Sequence, residues 1–190
     1  MNIEAINSVN FWNDIHRDYD RDTIKVDGWL DVFSDIIDNC DSPILDLGCG
    51  SGNDTLFLIN IGKKVYAADQ SENAIKNIKK NFPEIVEARI LNMLDGIDYP
   101  DNAFGIVVAD LSLHYFTMEE NSKILKDIKK ILKLDGHLLI RVNSVHDVNH
   151  GAGNGEEIEH HFYRTADGMF KRFFDEEDIK TIFSDFNIFF

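Results

Sequence analysis

One stretch constrains this chain more than any other: Ile44-Leu45-Asp46-Leu47-Gly48-Cys49-Gly50-Ser51-Gly52, a short apolar run broken by one acidic residue and followed by a glycine at every second position. Ile44 to Leu47, entered from Pro43, reads as a buried strand. Glycines 48, 50 and 52 then make a loop whose backbone approaches a ligand with no Cβ in the way. The helix expected to follow adds free N–H groups at its start. A dinucleotide fingerprint would need glycine at 53, where this chain has Asn53, so the pattern is G-x-G-x-G. That difference, with Asp46 ahead of the loop, favours a nucleoside whose tail is an amino acid over one whose tail is a pyrophosphate. A plain tight turn would account for the glycines but not for Asp46 inside an apolar strand end.

Strand and helix alternate along the rest of the sequence. A helix from Trp29 to Ile37 precedes the first strand. Helices follow from Asn53 (a candidate N-cap) to Ile61, and from the Ser71 cap to Lys80. Thr117-Met118-Glu119-Glu120 has capping-box spacing and opens a helix to about Leu132, ended by Asp135-Gly136. Asp175 caps a last helix to Phe183. Strands are expected at Val65 to Ala68, Ala88 to Leu91, Phe104 to Ala109, His137 to Val142 and Phe186 to Phe190, with a loop from Asn143 to about Gly168. This order predicts an α/β fold, a doubly wound, mostly parallel sheet with right-handed crossovers. Ligands of such sheets bind beyond the carboxyl ends of the strands. The residues there are Asp46 to Gly52, Asp69 to Ser71, Asn92-Met93, Asp110 to His114 and Arg141 to Ser144. Asp69 stands about twenty residues past the glycine loop, where an acidic residue accepts the ribose hydroxyls. Alone it would be a helix-entrance turn residue; with the loop, the ligand reading prevails.

Charge narrows the partners. With 34 acidic residues against 19 basic, the net charge is −15. Nucleic acid and anionic membrane are repelled by most of such a surface. The lysine stretches at 76–80 and 126–133 read as solvated faces of amphipathic helices. Two cysteines, Cys40 and Cys49, show no framework spacing, no apolar run reaches membrane-spanning length, and Met1 to Ala5 lacks the basic and apolar regions of a secretory signal. Cytoplasmic residence follows as an expectation. His146, His150, His160 and His161 fit no standard ligand spacing and no cysteine joins them, so no metal is expected.

At this point the chain resembles the class I S-adenosylmethionine-dependent methyltransferases, from about Phe11 to its end. Ile44 to Gly52 matches the family's first motif and Val65-Tyr66-Ala67-Ala68-Asp69 its second. Asp98 to Val108 is similar to the segment leading into the fourth strand, and Leu111-Ser112-Leu113-His114-Tyr115-Phe116 to the stretch after it. More narrowly, Arg141-Val142-Asn143-Ser144, Gly151-Ala152-Gly153 and the Phe-rich ending resemble the tellurite-resistance-type enzymes. The resemblance implies strand order 3-2-1-4-5 with a sixth strand beyond, and one methyltransferase domain over 1–190: an N-terminal helical lid and first helix (1–40), a cofactor-binding core (41–143), and a substrate-side loop with C-terminal helix and strand (144–190). It implies Gly48, Cys49, Gly50 and Gly52 along the methionine part and ribose, Asp46 below the ammonium, Asp69 on the ribose, and Gln70 at the adenine edge. Asn92 stands where many members have Asp, beside Met93, and its carbonyl still accepts a bond. Asp110 and Leu111 would close the site.

Together these readings predict methyl transfer from S-adenosylmethionine to a small-molecule acceptor, leaving S-adenosylhomocysteine. The alternatives are a protein or RNA acceptor, a nicotinamide-dependent oxidoreductase, and a non-catalytic relative. His114 is the candidate general base, set against a structural histidine at a helix entrance. Trp12, Tyr19, Tyr115, Arg141 and Asn143 are the acceptor-side candidates. For Trp12 and Tyr19 the competing reading is an amphipathic helix packed on the core, and for Arg141 it is an ion pair. The sequence leaves no residues for the seventh, antiparallel strand usual in the family. It therefore predicts that the natural chain runs on, or that a second copy covers the edge of the fifth strand in a homodimer.

Overall fold

The computed structural model describes residues 3–17, 20–165 and 168–189, with side chains from Val9 onward. Five parallel strands form one sheet in the order β3-β2-β1-β4-β5. They are β1 Ile44–Leu47, β2 Val65–Asp69, β3 Glu87–Ile90, β4 Phe104–Asp110 and β5 Leu132–Arg141. β1 lies at the centre with all four residues buried, Ile44 opposite Val65 on one side and Ile106 on the other. Successive residues feed opposite layers: Leu45, Leu47, Val107 and Ala109 join one apolar cluster, while Ile44, Ile106 and Val108 join another. Both faces are covered, so these strands read as unbroken apolar runs rather than alternating ones.

The helices are α1 Ile3–Ile15, α2 Ser34–Asp38, α3 Asn53–Asn60, α4 Glu72–Asn81, α5 Met118–Ile131 and α6 Glu176–Ile182. The caps legible in the sequence form. Ser71 accepts from Ala74 N–H, and capping boxes close at Thr117/Glu120 and Asp175/Asp178. No described helix is long and apolar enough to cross a membrane.

Four expectations are corrected. The helix read from Trp29 begins as a 3-10 turn, Trp29–Phe33, before α2. Gly52, not Asn53, holds the N-cap position of α3 in a left-handed conformation, and the Asn53 side chain instead donates to the carbonyl of Lys25. β5 starts at Leu132, so Asp135-Gly136 lies within the strand. An irregularity between Phe104 and Ile106 absorbs it, and a Cβ at Gly136 would meet carbonyl oxygens at 2.9 and 3.0 Å.

The fourth correction concerns the end of the chain. The stretch expected as a loop forms a second, antiparallel sheet of β6 Glu156–Glu159, β7 Phe162–Arg164 and β8 Phe170–Arg172. The sixth strand expected over Phe186 to Phe190 does not form at 186–189; Phe190 lies outside the described residues. Phe186 and Ile188 dock on the apolar cluster beside α5, where the Lys129 ammonium lies over the Phe186 ring and donates to the Asp185 carbonyl. Side-chain anchoring on a helix satisfies these residues without strand pairing. Past β5, Asn143 and Val145 pair with Phe174 through backbone hydrogen bonds of 2.8 and 3.1 Å.

Candidate functional site

The carboxyl ends of β1, β2, β4 and β5 open onto a cavity of about 660 Å³. The glycine loop forms its floor, with positive φ at Gly48, Gly50 and Gly52. A Cβ at Gly48 would stand 2.5 Å from Cβ of Ser112, whose hydroxyl donates to the Leu47 carbonyl; only glycine fits this approach. Gly52 does not line the cavity. Its missing Cβ makes room for Ile78 and Phe82, which would lie 2.7 and 2.8 Å away, so it seats α4 against the loop.

Asp69, at the end of β2, is buried and accepts from the backbone N–H of Gly50 at 2.9 Å and of Ser71 at 2.8 Å, one bond to each oxygen. Each oxygen keeps capacity to accept a further bond, and Asp69 lines the cavity, which suits a vicinal diol. Gln70, Asn92 and Met93 line the adjoining wall. Asn92 caps the 3-10 turn Met93–Asp95 by accepting from Leu94 N–H, which fixes its carbonyl.

Beyond the loop, carboxylates crowd together. Asp46 is 2% exposed and accepts from Thr55 Oγ1 at 2.6 Å. Burial, with Asp54 nearby, pushes its carboxyl well above the usual range. Burial and the neighbouring Asp110 raise Asp54 to about 7, although the Trp29 indole donates to it. Asp110 is held by a bidentate fork from Arg141, at 2.6 and 2.7 Å, and Arg141 also reaches Asp27. These bonds, the one to Asp110 first, raise the Arg141 pKa further, and its guanidinium lies over the Trp29 ring. Four carboxylates, Asp27, Asp46, Asp54 and Asp110, gather around one arginine that bonds two of them, so the corner suits a cation. Cys49 is buried beside Asp69, which pushes its thiol up and away from the reactive thiolate.

The far wall is mostly apolar, with Thr117, Glu120 and Arg164 among its polar members. α1 crosses the loop with His16 against Gly50, pinned to α4 by Asn77 donating to the His16 carbonyl and Asn73 to that of Asn13. Burial lowers the His16 pKa, with Asp69 opposing. Trp12 stacks on His16 and meets Tyr115 edge-on at 5.1 Å. Phe116, Ile158, Phe162, Met169 and Phe170 complete the wall. The small sheet that carries most of them is held by Arg172, fully buried, donating to the carbonyls of Phe116 and His160 and to Glu159.

The sequence-predicted residues divide clearly. Asp46, Gly48, Cys49, Gly50, Asp69, Gln70, Asn92, Met93, Asp110 and Leu111 all line the cavity, as do Trp12, Tyr115 and Arg141. Leu111 does so with φ 45°, a strained conformation for a side-chain-bearing residue. Asn143 is buried, its carbonyl bonded to Phe174 N–H, and lies outside the cavity lining. Tyr19 falls outside the described residues. His114 is 1% exposed behind Tyr115, with neither ring nitrogen hydrogen-bonded. Burial depresses its pKa to about 3, and it does not line the cavity. Sequence reading missed Asp54, Trp29 and Asp27, and the β6–β8 wall. Asp54 carried a signal, an acidic residue in the first helical turn after the loop, but the wall offered only short runs.

This geometry meets its counterpart among known proteins. Residues 45–140 match the methyltransferase domain family, and the chain belongs to it. An uncharacterized methyltransferase of Oceanobacillus iheyensis is 29% identical over 109 residues, covering 55% of this chain and 48% of that protein. The human mitochondrial arginine-hydroxylase NDUFAF5 is 38% identical over 94 residues, 48% of this chain and 26% of that one. The chain thus spans about half or less of the length of these relatives. A solved S-adenosylmethionine-dependent methyltransferase of Clostridium acetobutylicum shares the fold, with TM-score 0.66, 19% identity, and 96% and 87% of the two chains covered.

Proposed function

We propose that the chain transfers a methyl group from S-adenosylmethionine to a small, largely apolar acceptor. The observation that carries this reading is one cavity with two chemically distinct ends, a glycine floor with carboxylates and an aromatic wall. The residues present fit the cofactor: the buried Asp69 carboxylate and the glycine loop line one part of the cavity, and the carboxylate corner wants a cation. Asp69 would take the ribose hydroxyls, and Gln70, Asn92 and Met93 the base. Asp46 and Asp54, backed by Asp110, would face the ammonium. When bound, the cofactor supplies a methyl group already activated by its sulfonium.

The protein's part is then positioning and exclusion of water. Tyr115, Phe162, Met169 and Phe170 pack the acceptor so that its nucleophile lies in line with the methyl carbon, and alignment of this kind supplies up to ~7–11 kcal/mol. His114, neutral and behind Tyr115, takes no proton in this scheme. A mostly apolar acceptor end favours a small molecule over a protein or RNA, and the net charge of −15 counts further against RNA. Asn53, in place of a third glycine, counts against a nicotinamide.

The test is a thermal-shift comparison of S-adenosylhomocysteine with NAD(H), then an acceptor screen read as S-adenosylhomocysteine release. Stabilisation by S-adenosylhomocysteine alone and a product heavier by one methyl group support the proposal. Stabilisation by NAD(H) alone sinks it. Cofactor binding with an unmethylated but otherwise altered product would move the protein toward the chemistry named for the human relative.

A further inference from the structure

Away from the cavity, the turn joining β6 to β7 folds two imidazoles against the start of α6. The rings of His160 and His161 have centroids 3.7 Å apart. His161 takes φ 58°, and this left-handed turn gathers side chains that extended backbone would send to opposite faces. One ligand atom from each of His160, His161 and Asp175 lies within 4.8 Å of the others. Asp178 Oδ2 stands 2.7 Å from His161 Nδ1, and Glu157 accepts from the His161 backbone N–H at 3.0 Å. Two imidazoles therefore stand among three carboxylates drawn from β6 and α6.

We propose that His160, His161 and Asp175 form a site for a divalent transition-metal ion of the zinc class, with Asp178 orienting His161 from behind. With Nδ1–H held by Asp178, Nε2 is the nitrogen left for a metal, the usual outer-shell arrangement. Nδ1 is the one that stands 4.0 Å from Asp175, so the ring must tilt to bring Nε2 round. Two neutral nitrogens and one carboxylate select Zn²⁺, Co²⁺ or Ni²⁺ over Mg²⁺ and Ca²⁺, which take oxygen. Tetrahedral bonds of ~2.0–2.1 Å require donors roughly 3.4 Å apart, so the three must draw together, with the exposed His160 ring moving off that of His161. The net charge of −15 raises the local concentration of cations. A bound ion would staple the β6–β7 turn to α6. Because Ile158 and Phe162 flank the two histidines in sequence and line the cavity, the staple would stiffen the aromatic wall.

The experiment is calorimetric titration of the full chain with Zn²⁺, and with Co²⁺ for its visible absorption, at about pH 7.5. It needs no assay of methyl transfer, so it stands or falls independently of that reading. One equivalent should bind, with intense tetrahedral Co²⁺ bands. His160→Ala and Asp175→Asn should each cost at least ~10-fold in affinity. Asn preserves the helix cap while removing the charge, so loss of fold does not confound that variant. His146→Ala should leave the titration unchanged. No binding at about 100 µM Zn²⁺, or binding indifferent to His160→Ala and Asp175→Asn, overturns the proposal.

Discussion

The two ends of the cavity are built by different means. The cofactor end is made largely of backbone: Gly48, Gly50, strand termini and helix starts fix where N–H groups point, and side chains such as Asp69 are locked by two backbone bonds. The acceptor end is made of side chains on short strands, tied to the rest of the fold by the buried Arg172, which bonds Phe116, and by the backbone pairing of Phe174 with Asn143 and Val145. Backbone geometry tolerates little substitution, because a misplaced Cβ meets neighbours that cannot retreat. Aromatic walls tolerate far more, since volume can be redistributed among neighbouring rings.

The largest effect expected from this contrast is at Gly48. Gly48→Ala places a Cβ 2.5 Å from Ser112 at φ 82°. Calorimetry should show at least about a 100-fold loss of S-adenosylhomocysteine affinity, or melting should show ~2–4 kcal/mol less stability. Gly62→Ala is the control. Its φ is 79° but nothing lies within 4 Å, so only the ~1–2 kcal/mol of left-handed strain should appear. Equal penalties at the two sites would mean that backbone approach does not define the cofactor end.

Asp69→Ala comes next. Removing a charged acceptor of the ribose hydroxyls, at ~1.5–3 kcal/mol, should lower S-adenosylhomocysteine affinity about 10- to 100-fold. An unchanged dissociation constant would detach Asp69 from the ligand.

Why the two ends differed in legibility follows from the same contrast. Gly48 to Gly52, Asp69 and the Ser71, Thr117 and Asp175 caps each reflect a local backbone requirement, which leaves a residue type at a fixed spacing. β6, β7 and β8 are 4, 3 and 3 residues long. At that length alternation is not distinguishable from loop composition, and pairing is decided by partners such as Arg172 that lie elsewhere in the chain. The Phe-rich ending misled for a related reason. Phe186, Ile188 and Phe189 have strand-forming composition, but two of them find burial beside α5 while Phe189 stays 79% exposed.

A pH titration tests the carboxylate corner. Asp54 titrates at about 7, raised by burial and Asp110, and only its ionised form attracts the ligand's ammonium. Affinity for S-adenosylhomocysteine should rise from pH 6 to pH 8, by up to about tenfold. The unliganded protein should show the opposite sign, because a raised carboxyl pKa stabilises the protonated fold and that contribution fades as pH climbs from 3.8 through about 7. Asp54→Asn should flatten both curves. A pH-independent affinity in the wild type would remove Asp54 from the ammonium site.

At the acceptor end the effects should be smaller and confined to the acceptor. Phe170 stacks on Phe162 with centroids 5.7 Å apart. With an acceptor in hand, Phe170→Ala should raise its KM roughly fivefold while S-adenosylhomocysteine affinity holds, since truncating one wall residue removes ~1 kcal/mol of contact. A matching loss of cofactor affinity would show that the two ends are not separable.

The smallest effect is expected at His114, and there the contrast is sharpest. The residue follows β4 where a base could stand, yet it is 1% exposed with both nitrogens unbonded. An unsatisfied buried imidazole costs the desolvation of its polar atoms, so an apolar replacement of similar bulk is nearly neutral or stabilising. His114→Leu should leave transfer within about twofold of wild type and the melting temperature unchanged or higher. The pH dependence of stability supplies a second reading. Because burial holds the folded pKa at about 3 against 6.5 in the unfolded chain, His114 favours the fold above pH 6.5 and progressively loses that contribution as pH falls toward 3. The Leu variant should therefore resist acid better than the wild type. A 100-fold slower reaction with cofactor affinity intact, and an acidic limb missing from the pH–rate profile, would instead make His114 the base and require Tyr115 to swing aside during turnover.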